Sequence, residues 1–223
     1  MKIAPFKIEE WMNRYESSAV YDLTTTCIKP LSLRELCGII PNEIMDKKLN
    51  YGDIEGSKRL KNAIMNLYFN QEVENITVTH GAIGANQLVF LSLLEKGDEV
   101  ISIVPTYQQH YSIPESIGAK VKLLFLKEKN NWLPDIEELL MTISSKTKLL
   151  CLNNPNNPTG AVIPDNILKE IAEIAKRYNV WILSDEAYRG LNLFGNPYSL
   201  SIADIYEKGI STSSVSKVFS GSS

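Results

Sequence analysis

The sequence predicts an α/β fold, a mainly parallel sheet with helices on both faces, entered through an N-terminal arm. Three observations carry that prediction. From Tyr51 onward, short apolar runs alternate with segments of helical period, the order expected of βαβ units. Glycine and proline punctuate the ends of these runs, as Gly97 does after one helix and Pro105 after the next strand. The segments richest in chemistry all follow apolar runs, and parallel sheets bind ligands beyond the carboxyl ends of their strands.

Residues 1–50 are irregular and form the arm. A short amphipathic helix is expected near Ile8–Tyr15, then an extended stretch Val20–Pro30, then a second short helix from Ser32. Such an arm has little of its own to pack against, so it is expected to lie on another domain or a partner chain. Residues 51–223 form the large domain. Ser57–Phe69 has helical spacing at Leu60, Ile64, Leu67 and Tyr68, and Ile76–Thr79 reads as a short strand. Gly84–Leu94 is a helix, Val100–Val104 a strand, and Tyr107–Ile117 a helix despite Pro114. Val121–Leu126 is a strand, Pro134–Thr142 a helix and Lys148–Leu152 a buried strand. Asp165–Tyr178 is a long helix with Asp165 near its N-cap. Val180–Ser184 and Ile210–Ser214 complete the strands.

Composition narrows the function. The chain has 223 residues, 44% hydrophobic and 22% charged, with 23 Lys+Arg against 26 Asp+Glu. Without a block of like charge, nothing points to nucleic acid or to an anionic membrane. The apolar runs are strand-sized, and the first residues lack the apolar core of a signal peptide, so the cytoplasm is the expected address. Cys27, Cys37 and Cys151 form no CxxC pair and read as buried or incidental thiols. His80 and His110 are surrounded by no metal-ligand spacing, so no metal is expected.

Three segments converge on one chemistry. Val180–Asp185 is an apolar strand ending in an acid, and a carboxylate there is costly unless a cation meets it. The pyridinium nitrogen of pyridoxal 5'-phosphate (PLP) is such a cation, and keeping it protonated makes the ring an electron sink. Tyr188, three residues on, carries a hydroxyl suited to the phenolate oxygen of PLP. Asn157, in the polar turn Asn153–Gly160, carries an amide suited to the same oxygen. Lys217, in Ser213-Ser214-Val215-Ser216-Lys217, carries the amine for the aldehyde. A free lysine titrates near ~10.4 and useful amine chemistry needs roughly 7–8, which a buried cation-rich site provides. The turn Thr79–Ala85 has small residues that let backbone N–H groups face an anion, and the hydroxyls of Ser214 and Ser216 add phosphate contacts. It matches neither a dinucleotide fingerprint nor a P-loop. Tyr107, after Pro105-Thr106, is an aromatic placed to stack on a flat ring.

With those residues in view, the chain resembles the class I/II aminotransferases, fold-type I PLP enzymes, from about Tyr51 to Lys217. The pattern Tyr51-Gly52-Asp53-Ile54-Glu55-Gly56-Ser57-Lys58-Arg59-Leu60-Lys61 is similar to the start of that family's large domain. The resemblance implies that Tyr51 reaches the cofactor phosphate of a neighbouring subunit, and hence a homodimer with shared active sites. It also matches Ala82 and Ile83 to the phosphate-binding turn, Tyr107 to the stacking aromatic, and Asn157, Asp185, Tyr188, Ser214 and Lys217 to the polar contacts. Two departures stand out. Leu23–Pro30 occupies the place of a glycine-containing loop near the substrate. The family also continues beyond its lysine with two arginines and a C-terminal small domain, whereas only Val218–Ser223 follow Lys217 here.

The function expected is PLP-dependent transamination between an amino acid and a 2-oxo acid. Lys217 is expected to form the Schiff base and to shuttle the proton, with Asp185 and Tyr188 as the other catalytic residues. Related chemistry at such a site includes C–S lyase, cyclase and decarboxylase reactions. A truncated, non-catalytic fragment that binds PLP or dimerises is the alternative of a different class.

Overall fold

The computed structural model of the chain describes residues 2–48 and 50–219. The expectation that little follows Lys217 falls partly on residues 220–223, outside that range. Helices α1 (Lys7–Tyr15), α2 (Leu33–Ile39), α3 (Asn42–Met45) and α4 (Lys58–Met65) precede the sheet. Then come α5 (Gly81–Leu93), β1 (Glu99–Val104), α6 (Gln109–Ile117), β2 (Lys120–Phe125) and α7 (Ile136–Thr142). β3 (Thr147–Asn153), α8 (Asp165–Tyr178), β4 (Trp181–Asp185), β5 (Gly209–Thr212) and α9 (Val215–Val218) follow.

The strands pair in the order β2-β1-β3-β4-β5, every neighbour parallel. Successive side chains of a strand point to opposite faces, and here both faces are apolar. Leu149, Cys151 and Leu183 pack with Phe90 and Leu94, at the end of α5, and with Ile113 of α6. Leu150, Leu152 and Ile182 pack with Leu139 of α7 and with Ile171 and Ile174 of α8. This is why these strands read as apolar runs without alternation. α8 shows how the sequence builds a covering helix. Leu168, Ile171, Ala172 and Ala175 form one buried stripe, Asp165 sits in the first turn, Lys176 and Arg177 sit in the last, and Asn179 closes it in the left-handed region at φ 58°. From β1 the sheet extends to β2 on one side and to β3 on the other, so the crevice beyond the carboxyl ends of β1 and β3 is the expected ligand position for this strand order.

The differences from the sequence reading have physical causes. Ile76–Thr79 is not a strand. Its Val78 amide donates to the Glu55 carbonyl at 3.0 Å, and among the described residues no strand lies beside it to form a ladder. An apolar pattern specifies a face; only a partner makes a strand. α4 ends at Met65, and Tyr68 instead lies under the Arg189 guanidinium, 4.8 Å from its ring centre. β5 stops at Thr212 because Ser214 turns out to cap α9, accepting from the Ser216 amide. α6 carries Pro114 inside it, giving up the one bond that residue would have donated to the carbonyl of His110.

The arm is locally specified. Ser32 accepts from the Glu35 amide while Glu35 accepts from the Ser32 amide, a complete capping box that starts α2 without tertiary help. Neither α1 nor α2 has a buried residue, and Val20, Tyr21 and Leu23 are almost fully exposed.

Candidate functional site

Asp185 is the last residue of β4 and only 6% exposed. Its Oδ2 accepts from Asn86 Nδ2 at 2.9 Å and faces His110 Nε2 at 3.2 Å; its Oδ1 accepts from the Ala187 amide at 3.1 Å. Burial alone pushes its carboxyl up. The His110 ring, the Asn86 amide and the Ala187 N–H outweigh that and hold it below the usual carboxylate range. The donors are themselves held. His110 Nδ1 lies 3.1 Å from Thr106 Oγ1, a contact that fixes the ring. Asn86 Oδ1 accepts from Thr212 Oγ1 at 2.6 Å, and Gln109 Nε2 donates to the Ile83 carbonyl at 2.7 Å. α5, α6 and β5 are thereby fastened to one carboxylate.

A second group lies beside it. Asn153 donates to the Asp185 carbonyl at 2.7 Å and accepts from the Asn157 amide at 2.6 Å, which fixes the turn after β3. Asn157 Nδ2 donates to Tyr188 Oη at 3.0 Å. Tyr188 Oη and Lys217 Nζ both donate to Thr26 Oγ1, at 3.0 and 3.1 Å. Asn157, Tyr188 and Lys217 are thus brought together, with the arm as a fourth participant.

Tyr107 is half-buried at the end of β1. Its hydroxyl donates to Glu9 Oε1 at 2.9 Å, and Phe6 meets its ring edge-on at 5.6 Å. Burial, then Glu9, then the nearby charge of Asp185 hold its hydroxyl above the usual phenol range. Ala82 and Ile83 lie in the first turn of α5, where His80 supplies no side-chain cap. Ser214 Oγ lies 2.8 Å from Ser216 Oγ and caps the first turn of α9. Gly81 and Ala85 from one turn and Ser214 and Ser216 from the other line a common cavity of about 850 Å³. Tyr51 stands apart, fully exposed on the single chain.

Sequence reasoning missed Asn86, Gln109, His110, Thr212 and Thr26. Asn86 left a faint signal, one of three polar residues, with Gln87 and Ser92, in a mainly apolar helix. His110 was weighed only as a metal ligand, because its partner lies 75 positions away.

Residues 22–222 match the family described as aminotransferase class I and II. The chain belongs to that family. An aspartate aminotransferase of Pyrococcus horikoshii is 42% identical over 144 residues, 62% of this chain and 37% of that protein. A glutamate-pyruvate aminotransferase of Haemophilus influenzae is 34% identical over 143 residues, 62% of this chain and 35% of that protein. A solved PLP-dependent aminotransferase from Streptococcus suis superposes with a TM-score of 0.92 at 45% identity, covering 100% of this chain and 60% of that one. The chain therefore spans well under half the length of these two curated relatives. The fold is that of the aminotransferase large domain, and members of the family depend on PLP. The donor set fits that cofactor: an ionised buried carboxylate, a phenol and an amide side by side, an amine within the same group, and an uncapped helix start opening on the serine-rich turn.

Proposed function

We propose that this aminotransferase moves an amino group between an amino acid and a 2-oxo acid, with Lys217 as the amine that holds PLP. Bound PLP supplies an aldehyde and an electron-withdrawing ring. The observation that carries the reading is Asp185, buried and kept ionised by His110 and Asn86, with Asn153 tying its backbone to the turn that holds Asn157. A carboxylate held that way suits a cationic ring nitrogen, and its charge would keep that nitrogen protonated.

The remaining roles follow from chemistry. Asn157 and Tyr188 donate toward the phenolate oxygen, and Tyr107 offers an aromatic face to the ring. Backbone N–H groups of Ala82 and Ile83, with the hydroxyls of Ser214 and Ser216, hold the phosphate. Lys217 Nζ would take the proton from the substrate Cα and deliver it to a different carbon, so that the amino group does not stay with its donor. Tyr51, exposed on the single chain, would reach the phosphate of a neighbouring subunit. The arm 1–50 would cover that subunit, giving a homodimer with shared sites that works in the cytoplasm.

The test is covalent mapping. After borohydride reduction in the presence of PLP, the pyridoxyl group should be found on Lys217, and Lys217→Ala should remove it with the circular dichroism unchanged. A pyridoxyl group on another lysine would overturn the assignment. Sedimentation of the chain should show a dimer, and Tyr51→Phe should weaken PLP retention.

A further inference from the structure

We propose that Gln109 is a positioning residue for the cofactor, holding the phosphate-facing first turn of α5 at a fixed distance from the Asp185 carboxylate. Gln109 opens α6 and is only 2% exposed. Its Nε2 donates to the Ile83 carbonyl at 2.7 Å, and its Oε1 accepts from Asn86 Nδ2 at 3.2 Å. The same Asn86 nitrogen donates its other proton to Asp185 Oδ2 at 2.9 Å. One side chain of α6 thus grips α5 at two points, a carbonyl of its first turn and the amide that meets the carboxylate.

The direction of each bond in this series is fixed by its ends. An ionised carboxylate and a backbone carbonyl only accept. Asp185 therefore turns the NH2 group of Asn86 toward itself, and Thr212 Oγ1 donates to Asn86 Oδ1 on the other side at 2.6 Å. The Ile83 carbonyl turns the NH2 group of Gln109 toward α5, which leaves Gln109 Oε1 to accept from Asn86. A flip of either amide would set oxygen against oxygen in a buried place, where an unmet polar group is costly. The order along the chain agrees with this role. After β1, Tyr107 offers a ring face, Gln109 holds the phosphate-facing turn and His110 meets Asp185. A ligand bound at both ends, with a ring nitrogen at Asp185 and a phosphate at Ala82 and Ile83, gains from a spacing set before it arrives. A ligand without the phosphate gains nothing from that spacing.

The proposal rests on Asp185 and the α5 turn being the two anchors of PLP, and its test separates the two ways of failing. Dissociation constants of PLP and of pyridoxal, which lacks the phosphate, are measured by absorbance titration of the parent chain, Gln109→Met and Gln109→Asn. Gln109→Met keeps the length of the side chain and deletes both bonds. It should weaken PLP about tenfold, the equivalent of one net hydrogen bond, and pyridoxal less than about threefold. Gln109→Asn carries the amide one methylene short of its two partners and should show the same bias in smaller measure. It decides the outcome where circular dichroism shows Gln109→Met to be unfolded. A residue that only supports the fold would weaken both ligands alike. Equal losses, a larger loss for pyridoxal, or no loss for either ligand would overturn the proposal. A parent chain that holds PLP no more tightly than pyridoxal would instead overturn the reading of α5 as the phosphate turn, and the proposal with it.

Discussion

Behind Asp185, side chains from α5, α6 and β5 are spent on holding one carboxylate, and Asn86, Gln109, His110 and Thr212 are all buried. In the N-terminal arm, no described side chain ahead of Lys61 is buried. Both regions are rich in polar residues, and both reach Lys217 or its neighbours. They differ in where their order comes from. The sheet end is ordered by tertiary burial, where an unmet polar group is costly, and Asn86, His110 and Thr212 each meet a partner there. The arm is ordered by local bonds, the Asp22 turn and the Ser32–Glu35 box, and meets the large domain through a few contacts, its own Glu9 and Thr26 side chains and the Gln108 amide donating to the Pro5 carbonyl. A surface ordered in this way leaves Val20, Tyr21, Leu23 and Tyr51 with apolar area still to cover, which fits the proposed dimer.

The largest expected effect tests the burial half of that comparison. Leu150→Ala, at a fully buried position of β3, should cost about 2–5 kcal/mol in urea unfolding. Leu23→Ala should stay within about 0.5 kcal/mol in a monomer. Equal costs would mean that the arm is packed in solution, and a protein-concentration dependence of the midpoint would identify the partner as a second copy.

The next effect separates two neighbouring acids by sign. Glu186 is fully buried, accepts from Ser201 Oγ and the Ile202 amide, and lies 3.7 Å from Arg189 Nε. Burial raises its carboxyl to about 7, against the pull of the Ser211 hydroxyl, Arg189 and those donors. A folded value above the unfolded one means that the folded state keeps a proton the unfolded state has lost. Its stabilising contribution is therefore full below roughly pH 4.5 and is lost as pH rises through about 7, up to about 3 kcal/mol in all. Asp185, held below its usual range, runs the other way and contributes stability that is lost only as pH falls into the acid range. Unfolding free energies between pH 5 and 8 should decline more steeply in the parent chain than in Glu186→Gln. Identical slopes would remove Glu186 from the account.

The sequence carried the fold well and the candidate site in outline, for one reason in each case. Strands buried on both faces and helices with a single apolar stripe leave periodic marks, so β1, β3, β4 and α8 were legible to within a residue or two. Asp185 was legible because an acid ending an apolar strand is costly without a partner. Its actual partners were not. His110 and Asn86 lie 75 and 99 positions away, and their meeting is a property of the parallel topology. Ile76–Thr79 failed for the converse reason, since its pattern held no information about a partner. Thr26 was hidden among three threonines that only the folded chain tells apart.

A smaller effect concerns the network itself. Asn86→Leu keeps the branched shape, with larger methyl ends, but strips Asp185 of a donor and leaves the Thr212 hydroxyl without its acceptor. A loss of about 1–3 kcal/mol is expected, together with a rise in the Asp185 carboxyl followed by pH-dependent NMR. Loss of stability with an unmoved carboxyl would make Asn86 a packing residue only.

The smallest effect lies where the two regions touch. Tyr107 sits at the end of β1, yet its hydroxyl answers to Glu9 in α1 and its ring edge to Phe6. Tyr107→Phe removes the hydroxyl and keeps the ring, so the loss should be about 0.5–1.5 kcal/mol, the net worth of one hydrogen bond, and less if water takes up Glu9. Glu9→Gln keeps a shorter-range acceptor and should cost less still. The two changes share a contact, so in the double mutant their costs should fall short of additive. Additive costs would mean that the bond carries no energy of its own and that α1 is held by Phe6 and by the Gln108 bonds to Lys7 and Pro5. Apart from Thr26, whose hydroxyl meets Tyr188 and Lys217, the arm would then touch this end of the sheet through packing and backbone.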